Sequence, residues 1–538
     1  MDIRFFASNP IFYYRQDGRP KSEDRCTIHF NLLTRIILNC YFTGIISYNH
    51  YRLTYPLKII RLYGLLFYLI CFGIDQVPTS YAQDGNDVYD SLQIPDKVVI
   101  NNIFIIGNEK TKKNIILREI DLQTGITYDW EELLMMIEAD QKKIYNLQLF
   151  NNVEITPLFT GTEDIELLVA VTERWYILPN IIFNLADRNL AEWWINQNRD
   201  FSRVNYGARL MHNNVGGRNE KLRIGGQLGF TKAFEMLYSI PYIDKKQKHG
   251  IAAQLTYFTQ KTIHVRSANN RQVFYTNENE DVLRRNRSAF LRYTFRGSYY
   301  NFHLVTLGFN NTLINEDVFT QNPNYFLHGS NRLNYFVMGY NFRHDKRDNV
   351  QYATEGQLLN IGLTRYGLFG SDDVKDTEFT INANKYLKFN EKFHFVSGLS
   401  LNTFLGDRQP FTLVRGIGYN PFFIRGYELN VVEGQQTVVH KNSLRFNLIN
   451  VGYDIGQYVP FEEFAYFPIK LYLSGNFDHG FVNDKNKLPE NLRLTNQYLF
   501  GYGLGLDLVT LYDMVFRFEY SLNNQNEGAF FFNFRAPF

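Results

Sequence analysis

Short segments in which apolar and polar residues alternate recur from about residue 181 to the end of the chain. In one of them, Leu222 and Ile224 face one way, while Arg223 and Gln227 face the other. A strand with one dry and one polar face separates two different environments. After the first 82 residues no run of about 20 apolar residues follows, which excludes a helical membrane protein. The alternation, over about 16 segments, predicts an all-β transmembrane barrel of antiparallel strands around a polar lumen.

The composition supports a barrel over a soluble β-sandwich, which would also alternate. Aromatic residues make up 16% of the 538 residues, with 47 Phe and 37 Tyr. The mean hydropathy is nevertheless only −0.29. Lipid-facing and lumen-facing residues average out in this way in a barrel, whereas a sandwich would not favour so many outward aromatics. The net charge of +2 gives no reason to expect nucleic acid as a partner.

The end of the chain is a stripe of aromatic residues. At a period of two, its apolar residues share one face: Phe530, Phe532, Phe534, Ala536 and Phe538. The polar Asn533 and Arg535 share the other face. A closing barrel strand shows one face to lipid and one to the lumen, so it ends in this way. This pattern predicts that the last strand of the barrel lies at the C-terminus.

The first 82 residues have the features of a leader. A basic Arg61 precedes an apolar run that ends at Gly73, and Ser80-Tyr-Ala82 offers small residues before a cleavage site. We therefore expect a signal peptide cleaved after Ala82, with residues 1–56 upstream of the true translation start. A single membrane anchor is the alternative, but it needs a longer apolar span. The three cysteines all lie in this leader: Cys26, Cys40 and Cys71.

Residues 97–174 have a different pattern, which predicts a small α+β domain ahead of a barrel at 175–538. The expected order is strand, helix, helix, strand, strand (β-α-α-β-β). Thr111 is placed to cap the first helix, and Asp129 to open the second in a capping box. In the second helix, the spacing predicts a buried face that contains Leu134, Ile137 and Ile144.

Three motifs within the barrel carry charge at loops and strand ends. The first is Ile424-Arg425-Gly426-Tyr427, in the long connection between the eleventh and twelfth predicted strands. The second is Asp478-His479-Gly480, which ends a predicted strand whose polar face includes Asp478. The third runs from Asp345 to Asn349 and continues at Thr354-Glu-Gly356. We interpret the third as a turn, because Asp, Asn and Gly need no further explanation there.

These motifs, the domain at 97–174 and the terminal Phe538 together resemble the BamA/TamA-type outer-membrane assembly barrels, also called the bacterial surface antigen family. The two-partner secretion transporters are relatives. The segment with Gly107-Asn108, Thr111 and Gly125 resembles a POTRA domain, which binds extended polypeptide at a sheet edge. A plain spacer is the alternative for this domain. The resemblance covers nearly the whole chain after the leader.

The resemblance also implies roles for single residues. Ile424, Arg425, Gly426 and Tyr427 would form a loop that folds back into the lumen, and Asp478 with Gly480 would anchor its arginine. Phe534 and Phe538 would form the C-terminal assembly signal. The hairpin at Asn213 to Gly217 also matches the family and is read as structural.

Two positions depart from the family pattern. Asn476 stands where the family usually has Phe, and Arg445 stands where many relatives carry Glu. Two arginines near Asp478 would weaken the contact or recruit another acid, for which Glu519 is the candidate.

No motif for catalysis, a cofactor or a metal is present in the sequence, so we expect no enzyme. The alternative is an outer-membrane lipase barrel, although the sequence lacks a catalytic motif for that activity. His479 falls on the face opposite Asp478, and we expect an isolated histidine at the membrane rim.

The resemblance implies an assembly and insertion factor in the outer membrane, with its POTRA-like domain in the periplasm. It would receive unfolded outer-membrane proteins, and outer-membrane lipids would surround it. Periplasmic chaperones or lipoproteins are further candidate partners. Pro537 and Phe538 would suit a weakly paired closing seam, because proline cannot donate a ladder hydrogen bond. The alternative is a two-partner secretion pore. Such relatives usually carry two POTRA domains and a plug helix, and we find one domain and no clear plug.

Overall fold

The computed structural model describes residues 95–535, except 189, 280, 458, 460, 461 and 486–488. The chain divides into two compact units, residues 1–84 and 85–538, and every described residue belongs to the second. The expected leader with its cysteines lies outside the described residues, as do Pro537 and Phe538.

An α+β domain comes first. Its elements, in chain order, are β1 (Lys97–Ile106), α1 (Lys113–Leu117), β2 (Thr127–Asp129), α2 (Trp130–Tyr145), β3 (Phe150–Phe159) and β4 (Asp164–Glu173). The sheet order is β2-β1-β4-β3, in which β1 and β4 run parallel and the other pairs antiparallel. The order expected from sequence is confirmed, with the short β2 added. This strand was missed because three residues are too few for a period to show.

The helices of this domain differ from expectation in detail. Thr111 does not cap α1, since its hydroxyl hydrogen-bonds with Tyr176 Oη at 2.9 Å and accepts from Asn214. The side chain of Asp129 makes no cap bond for α2. On α2, Ile137 and Ile144 are buried as expected, but in the first turn the buried residue is Leu133, at 0% exposure, whereas Leu134 is 44% exposed. The expected phase of the buried face was therefore wrong by one residue at this point.

Sixteen strands form one antiparallel sheet, which confirms the predicted barrel class. In chain order they are β5 (Ile177–Leu185), β6 (Val204–Val215), β7 (Glu220–Gly229), β8 (Thr231–Ile240), β9 (His249–Gln260), β12 (Arg284–Arg296), β13 (Asn301–Ile314), β14 (Arg332–Asp345), β15 (Gly356–Tyr366), β16 (Asp376–Lys388), β17 (Phe393–Phe404), β18 (Gln436–Asp454), β19 (Tyr466–Asn483), β20 (Tyr498–Thr510), β21 (Met514–Asn523) and β22 (Gly528–Arg535). Each strand pairs with its neighbour in this order, so β5 and β22 are the two ends of the sheet.

The alternation seen in the sequence reappears as two faces of this sheet. On β20, Tyr502 and Leu504 point outward, with 48% and 66% of their surface exposed, while Asp507 is buried at 1%. The aromatic stripe of β22 also faces outward, with Phe530 at 78% exposure. Its rings pair with those of β21, for example Phe516 with Phe534 at a centroid distance of 4.8 Å. The outer face is therefore apolar and the inner face polar.

The remaining elements lie in the connections. One hairpin, β10 (Thr262–Ala268) with β11 (Arg271–Thr276), is inserted between β9 and β12. Two short helices, α3 (Leu190–Ile195) and α4 (Glu316–Gln321), follow β5 and β13. Single 3-10 turns occupy Phe201–Arg203, Leu327–Gly329, Glu462–Phe464, Pro489–Asn491 and Leu511–Asp513. In the described part of the chain, every helix is too short or too polar to cross a membrane.

Candidate functional site

The connection between β17 and β18 folds into the barrel and packs against its inner wall. Ile424 and Tyr427 of this lumen loop (residues 405–435) are 1% and 0% exposed. They belong to an apolar cluster that also contains Val439 of β18, Val482 of β19 and Leu499 of β20. A loop buried to this degree is part of the packed interior of the barrel.

Gly426 sits where the loop touches the β21–β22 end of the sheet. Its φ of 83° lies in the left-handed region, which favours glycine. A Cβ added there would stand 2.7 Å from the backbone nitrogen of Asn523. The Asn523 side chain donates a 2.8 Å hydrogen bond to the Gly426 carbonyl, and the Tyr427 hydroxyl bonds to Asn524. The loop tip is thus held by both backbone and side chain.

Arg425 bridges two carboxylates on different strands. Its Nη1 donates to both oxygens of Asp478, at 2.8 and 3.0 Å, and its Nε donates to Glu519 at 2.8 Å. The side chains of Arg425, Asp478 and Glu519 are 14%, 1% and 6% exposed. Charge-assisted bonds of this kind are strong when water is excluded. Removal of one partner of a buried ion pair typically costs about 3–5 kcal/mol, because the other charge stays buried.

Two glycines make room for the loop on the barrel wall. A Cβ on Gly480 would stand 2.5 Å from the Val438 carbonyl oxygen and 2.8 Å from Ile424 Cδ1. A Cβ on Gly501 would stand only 1.7 Å from the carbonyl oxygen of Arg425. Gly501 was missed from the sequence, where it reads simply as one of several glycines on β20. Its neighbour in space, Arg425, lies on a distant segment.

Arg445, which stands where many relatives carry Glu, does not bind Asp478. It donates to the Ala353 carbonyl at 3.1 Å and lies over the Tyr352 ring at 4.5 Å. The expectation of two competing arginines is therefore wrong, because Arg445 lies opposite Ser474 in the β18–β19 register, four residues from the pair. The residue opposite Asp478 is Lys441.

His479 lies on the face opposite Asp478, as expected, but it is not isolated. Its Nε2 is 3.0 Å from Nδ1 of His440, and the two rings are 5.0 Å apart. His440 in turn hydrogen-bonds with Ser397 at 2.9 Å. This pair could not be seen in the pattern of one strand, because His440 lies on β18 and is the cross-strand partner of His479 on β19.

Two motifs interpreted as turns also contact the α+β domain. Near the end of β6, the side chain of Asn214 donates to Thr111 at 2.9 Å, and in the turn that follows, the Gly217 carbonyl accepts the N–H of Lys112 at 2.9 Å. In the turn after β14, the carboxylate of Asp348 accepts the N–H and hydroxyl of Thr354. The Asp348 carbonyl also accepts from Asn146 of the domain at 3.2 Å. These turns therefore dock the domain as well as join strands.

Buried charges complete this interface. Arg296 at the end of β12 forms a two-pronged contact with Glu119, with both distances 2.7 Å and side-chain exposures of 10% and 2%. The carboxylate of Asp513 accepts from Tyr145 at 3.0 Å and from Arg174 at 3.1 Å. Burial, and then the charge of Asp513, raise the pKa of the Tyr145 hydroxyl. It stays protonated and remains a donor at neutral pH.

The opposite end of the barrel is covered by connections. The tip of the β10–β11 hairpin reaches the lumen loop and the β19–β20 connection through Asn270, which is 0% exposed. The N–H of Asn270 donates to the Asn491 side chain at 2.7 Å, and its amide donates to the Val431 carbonyl at 3.2 Å. Leu494 donates its N–H back to the Asn270 side chain at 3.0 Å. Three connections thus meet at one buried amide.

In the described ranges, no cluster of three or more His, Cys, Asp or Glu side chains is arranged to hold an ion. Of the two residues of the expected C-terminal signal, Phe534 is 52% exposed on the outer face of β22. Phe538 lies outside the described residues.

Two regions of the chain match protein-family models. The family model POTRA, described as surface antigen variable number repeat, matches residues 98–174. The Omp85 superfamily domain matches residues 214–535. No curated protein sequence matches the chain.

Several solved structures align with most of the chain. BamA from Haemophilus ducreyi lacking POTRA domains 1–3 has 13% identity and a TM-score of 0.46, with 81% of this chain and 84% of that chain covered. CdiB from Escherichia coli has 11% identity and a TM-score of 0.45, with coverages of 86% and 92%. CdiB from Acinetobacter baumannii has 13% identity and a TM-score of 0.43, with coverages of 82% and 74%.

The Omp85 match spans more than half of the 538 residues and includes both strands that hold Arg425. The POTRA match coincides with the α+β domain. Members of the superfamily are outer-membrane β-barrels that act in assembly or transport rather than as enzymes. The chain therefore belongs to the Omp85 superfamily, with one POTRA domain in its described part.

Proposed function

We propose that this protein receives unfolded outer-membrane proteins in the periplasm and helps them fold into the outer membrane. The proposal rests on the two end strands of the barrel sheet, β5 and β22. Among the described residues, β5 pairs only with β6, and β22 pairs only with β21. Backbone groups of an incoming strand cost several kcal/mol each if they stay unpaired in lipid. An available strand edge offers them partners.

The residues at these two edges support the proposal. Ile181 and Phe183 of β5 are 83% and 74% exposed, and Phe530 of β22 is 78% exposed. These are the largest exposed fractions among the bulky apolar side chains of the described sheet. The short helix α3, which follows β5, contacts β22 and so spans this seam at one end. An incoming hairpin would meet an apolar surface beside a row of free backbone groups.

The POTRA domain supplies a second edge. In its sheet, β3 is the last strand and pairs only with β4 among the described residues. Beside it, α2 exposes Leu134 and Met135, at 44% and 66%. An extended client segment could add to β3 through backbone bonds, while its side chains contact this helix. Such recognition is tolerant of sequence, as a factor with many clients requires.

The contacts of Arg425 give the lumen loop its part in this function. A loop tied to Asp478 on β19 and Glu519 on β21 braces the wall next to the β22 edge. We infer that this brace holds the last strands in a shape that an incoming strand can use. In the proposed orientation, the POTRA domain and the turns that it contacts face the periplasm, and the β10–β11 hairpin faces the cell exterior.

A translocation pore for polypeptide is the second candidate, and one feature of the lumen favours it. A cavity of about 490 Å³ lies against the inner wall of β12 to β16. Its lining has no charged residue and consists of Asn286, Ser288, Phe290, Thr306, Asn310, Tyr335, Val337, Gly339, Tyr340, Asn341, Gly362, Thr364, Tyr366 and Thr380. A wall without charged side chains would let an extended chain slide without strong binding.

The deciding experiment is the folding of an unfolded test barrel into liposomes that contain the purified protein. The fraction folded would be followed with time by the changed gel mobility of folded barrels. Arg425→Ala tests the brace, and Arg292→Ala is the matched control. Arg292 lies on β12, is exposed, and makes one long contact, to Thr306 at 3.4 Å.

Folding faster than in empty liposomes, with a loss in Arg425→Ala and none in Arg292→Ala, is the result expected for an assembly factor. If no version of the protein accelerates folding, and the protein gives large conductance steps in a planar bilayer, the assembly proposal is contradicted and the pore is supported.

A further inference from the structure

A row of basic side chains crosses the outer wall of the barrel at the end away from the POTRA domain. The row is defined by the ladder register: Lys232 on β8 pairs with Thr259, Thr259 pairs with Arg285, Arg285 with Leu313, and Leu313 with Arg332. Because paired residues lie side by side and point to the same face, these five side chains form one line. Three of the five are cations.

A fourth cation lies directly beside this line. Arg287 is two residues along β12 from Arg285, and therefore points to the same face. Lys232, Arg285, Arg287 and Arg332, here called the outer basic row, are all exposed. With neighbouring strands about 4.8 Å apart, Lys232 and Arg332 are about 19 Å apart across the wall. The row is thus wide and only one or two residues tall.

These four cations have no anionic partner in the part of the chain that the structure describes. No carboxylate lies within 4.0 Å of them there. Two acids in the connection between β15 and β16 accept backbone N–H groups: Asp373 accepts the N–H of Asn334, and Asp372 accepts those of Leu368 and Phe369. Four like charges in one row repel one another, so an anion that neutralises them is bound favourably.

The face below the row is apolar. Ala289 lies two residues along β12 from Arg287, on the side toward the POTRA domain. Ala289 and the outward residues beside it on the neighbouring strands are all apolar: Met236, Leu255, Phe309 and Phe336. From Arg287 to Phe295, which ends the outer face of β12, is about 27 Å along the strand at ~3.4 Å per residue. At a tilt of about 40° this covers about 20 Å of the membrane normal, close to the ~25 Å apolar band of such barrels. The row therefore lies at the border of the hydrocarbon layer.

We propose that the outer basic row binds the phosphorylated headgroup of a glycolipid in the outer leaflet, with its acyl chains on the apolar face below. The width of the row favours a headgroup that carries more than one phosphate over a phospholipid with a single phosphate. Arginine is suited to this task because its planar group meets phosphate in a two-pronged manner. The assignment of the leaflet rests on the orientation proposed above, whereas the binding itself does not depend on it.

The test measures lipid binding to the purified full chain in detergent by native mass spectrometry. The probes are diphosphorylated lipid A, the same lipid without its phosphates, and phosphatidylglycerol. The test variant is Arg285→Gln/Arg287→Gln/Arg332→Gln. The matched control is Lys245→Gln/Lys246→Gln/Lys248→Gln, which removes the same charge from exposed lysines in the turn after β8, at the opposite end of the same wall. The heat-dependent gel shift of each variant checks that the barrel is folded.

We expect diphosphorylated lipid A to bind the wild type and the control equally, and the test variant roughly tenfold to a hundredfold more weakly. Removal of the phosphates should reduce wild-type binding by a similar factor. Undiminished binding to the test variant would overturn the proposal, as would an equal loss in the control. Equal affinity for phosphatidylglycerol would overturn the assignment to a headgroup with several phosphates. Because this readout needs no client, it is independent of the folding assay.

Discussion

Gly501 of β20 lies against the backbone of Arg425, so closely that a Cβ at position 501 would stand 1.7 Å from the Arg425 carbonyl oxygen. The absence of a side chain on the barrel wall is thus what lets the loop approach its two carboxylates. The close approach and the ion pairs belong to one arrangement, since both involve the same residue of the loop.

The first prediction concerns this contact. We expect Gly501→Ala to push the lumen loop away from β20 and to destabilise the fold by about 1–3 kcal/mol, as overpacking of an interior does. Thermal unfolding and protease cleavage within residues 405–435 are the measurements. Gly475→Ala is the control, because a Cβ on Gly475 has no atom within 4 Å. Equal stability and equal protease cleavage of the two variants would show that the space at Gly501 does not limit the side chain at that position.

The second prediction concerns coupling within the ion pairs. Arg425→Ala should destabilise the folded barrel by about 3–5 kcal/mol, because Asp478 and Glu519 then stay buried without their cation. The double variant Arg425→Ala/Asp478→Ala should cost less than the sum of the single variants. Equilibrium unfolding in urea measures all three. Additive losses would mean that the two side chains act independently.

The third prediction concerns the docking of the POTRA domain. Arg296→Ala removes a buried two-pronged contact to Glu119 and should loosen the domain from the barrel. Hydrogen exchange of α1 and of the turn 297–300 should rise, while exchange in β18 and β19 stays unchanged. Lys97→Ala serves as the control, since its contact to Asp129 is 3.9 Å long and both side chains are about two-thirds exposed. A rise of the same size in the control would contradict the prediction.

The fourth prediction concerns pH and the β10–β11 hairpin. Burial, and then the charge of Arg415, lower the pKa of His264 from 6.5 to about 3. Its ring nitrogens also face Gln272 and Ser267, at 3.3 and 3.1 Å, in contacts that suit a neutral ring. An opened hairpin therefore binds a proton more readily than the closed one.

The stabilisation by neutral His264 is complete above pH 6.5 and is lost progressively as the pH falls toward 3. We expect protection of the hairpin amides against hydrogen exchange, corrected for intrinsic rates, to fall roughly tenfold or more between pH 7.5 and pH 5. The variant His264→Gln should lack this dependence. Persistence of the same pH dependence in the variant would assign it to another group.

The barrel could be predicted in outline because its signal is local. Adjacent side chains on a strand point to opposite faces, so Tyr502 and Leu504 reveal an outer face without knowledge of any other strand. The prediction failed where a helix turn decides the phase, as at Leu133 and Leu134 of α2, and where a strand is as short as β2.

The candidate site could be predicted only in part. The resemblance selected Arg425 and Asp478, and it left Glu519 as one possible further acid. The structure places Glu519 against Arg425 although they are 94 positions apart, and it turns Arg445 toward Tyr352 instead. The pairing of His440 with His479 and the space left by Gly501 were not visible in either strand alone.

The sequence by itself therefore determined the class of the fold, the order of its two domains and the loop that carries Arg425. The tertiary structure alone decided which carboxylates meet that arginine, which glycines admit the loop, and which cations line up on the outer wall. The physical reason is that the period of a strand follows from its own backbone geometry. Contacts between strands depend on register and loop path, which only the assembly of all strands defines.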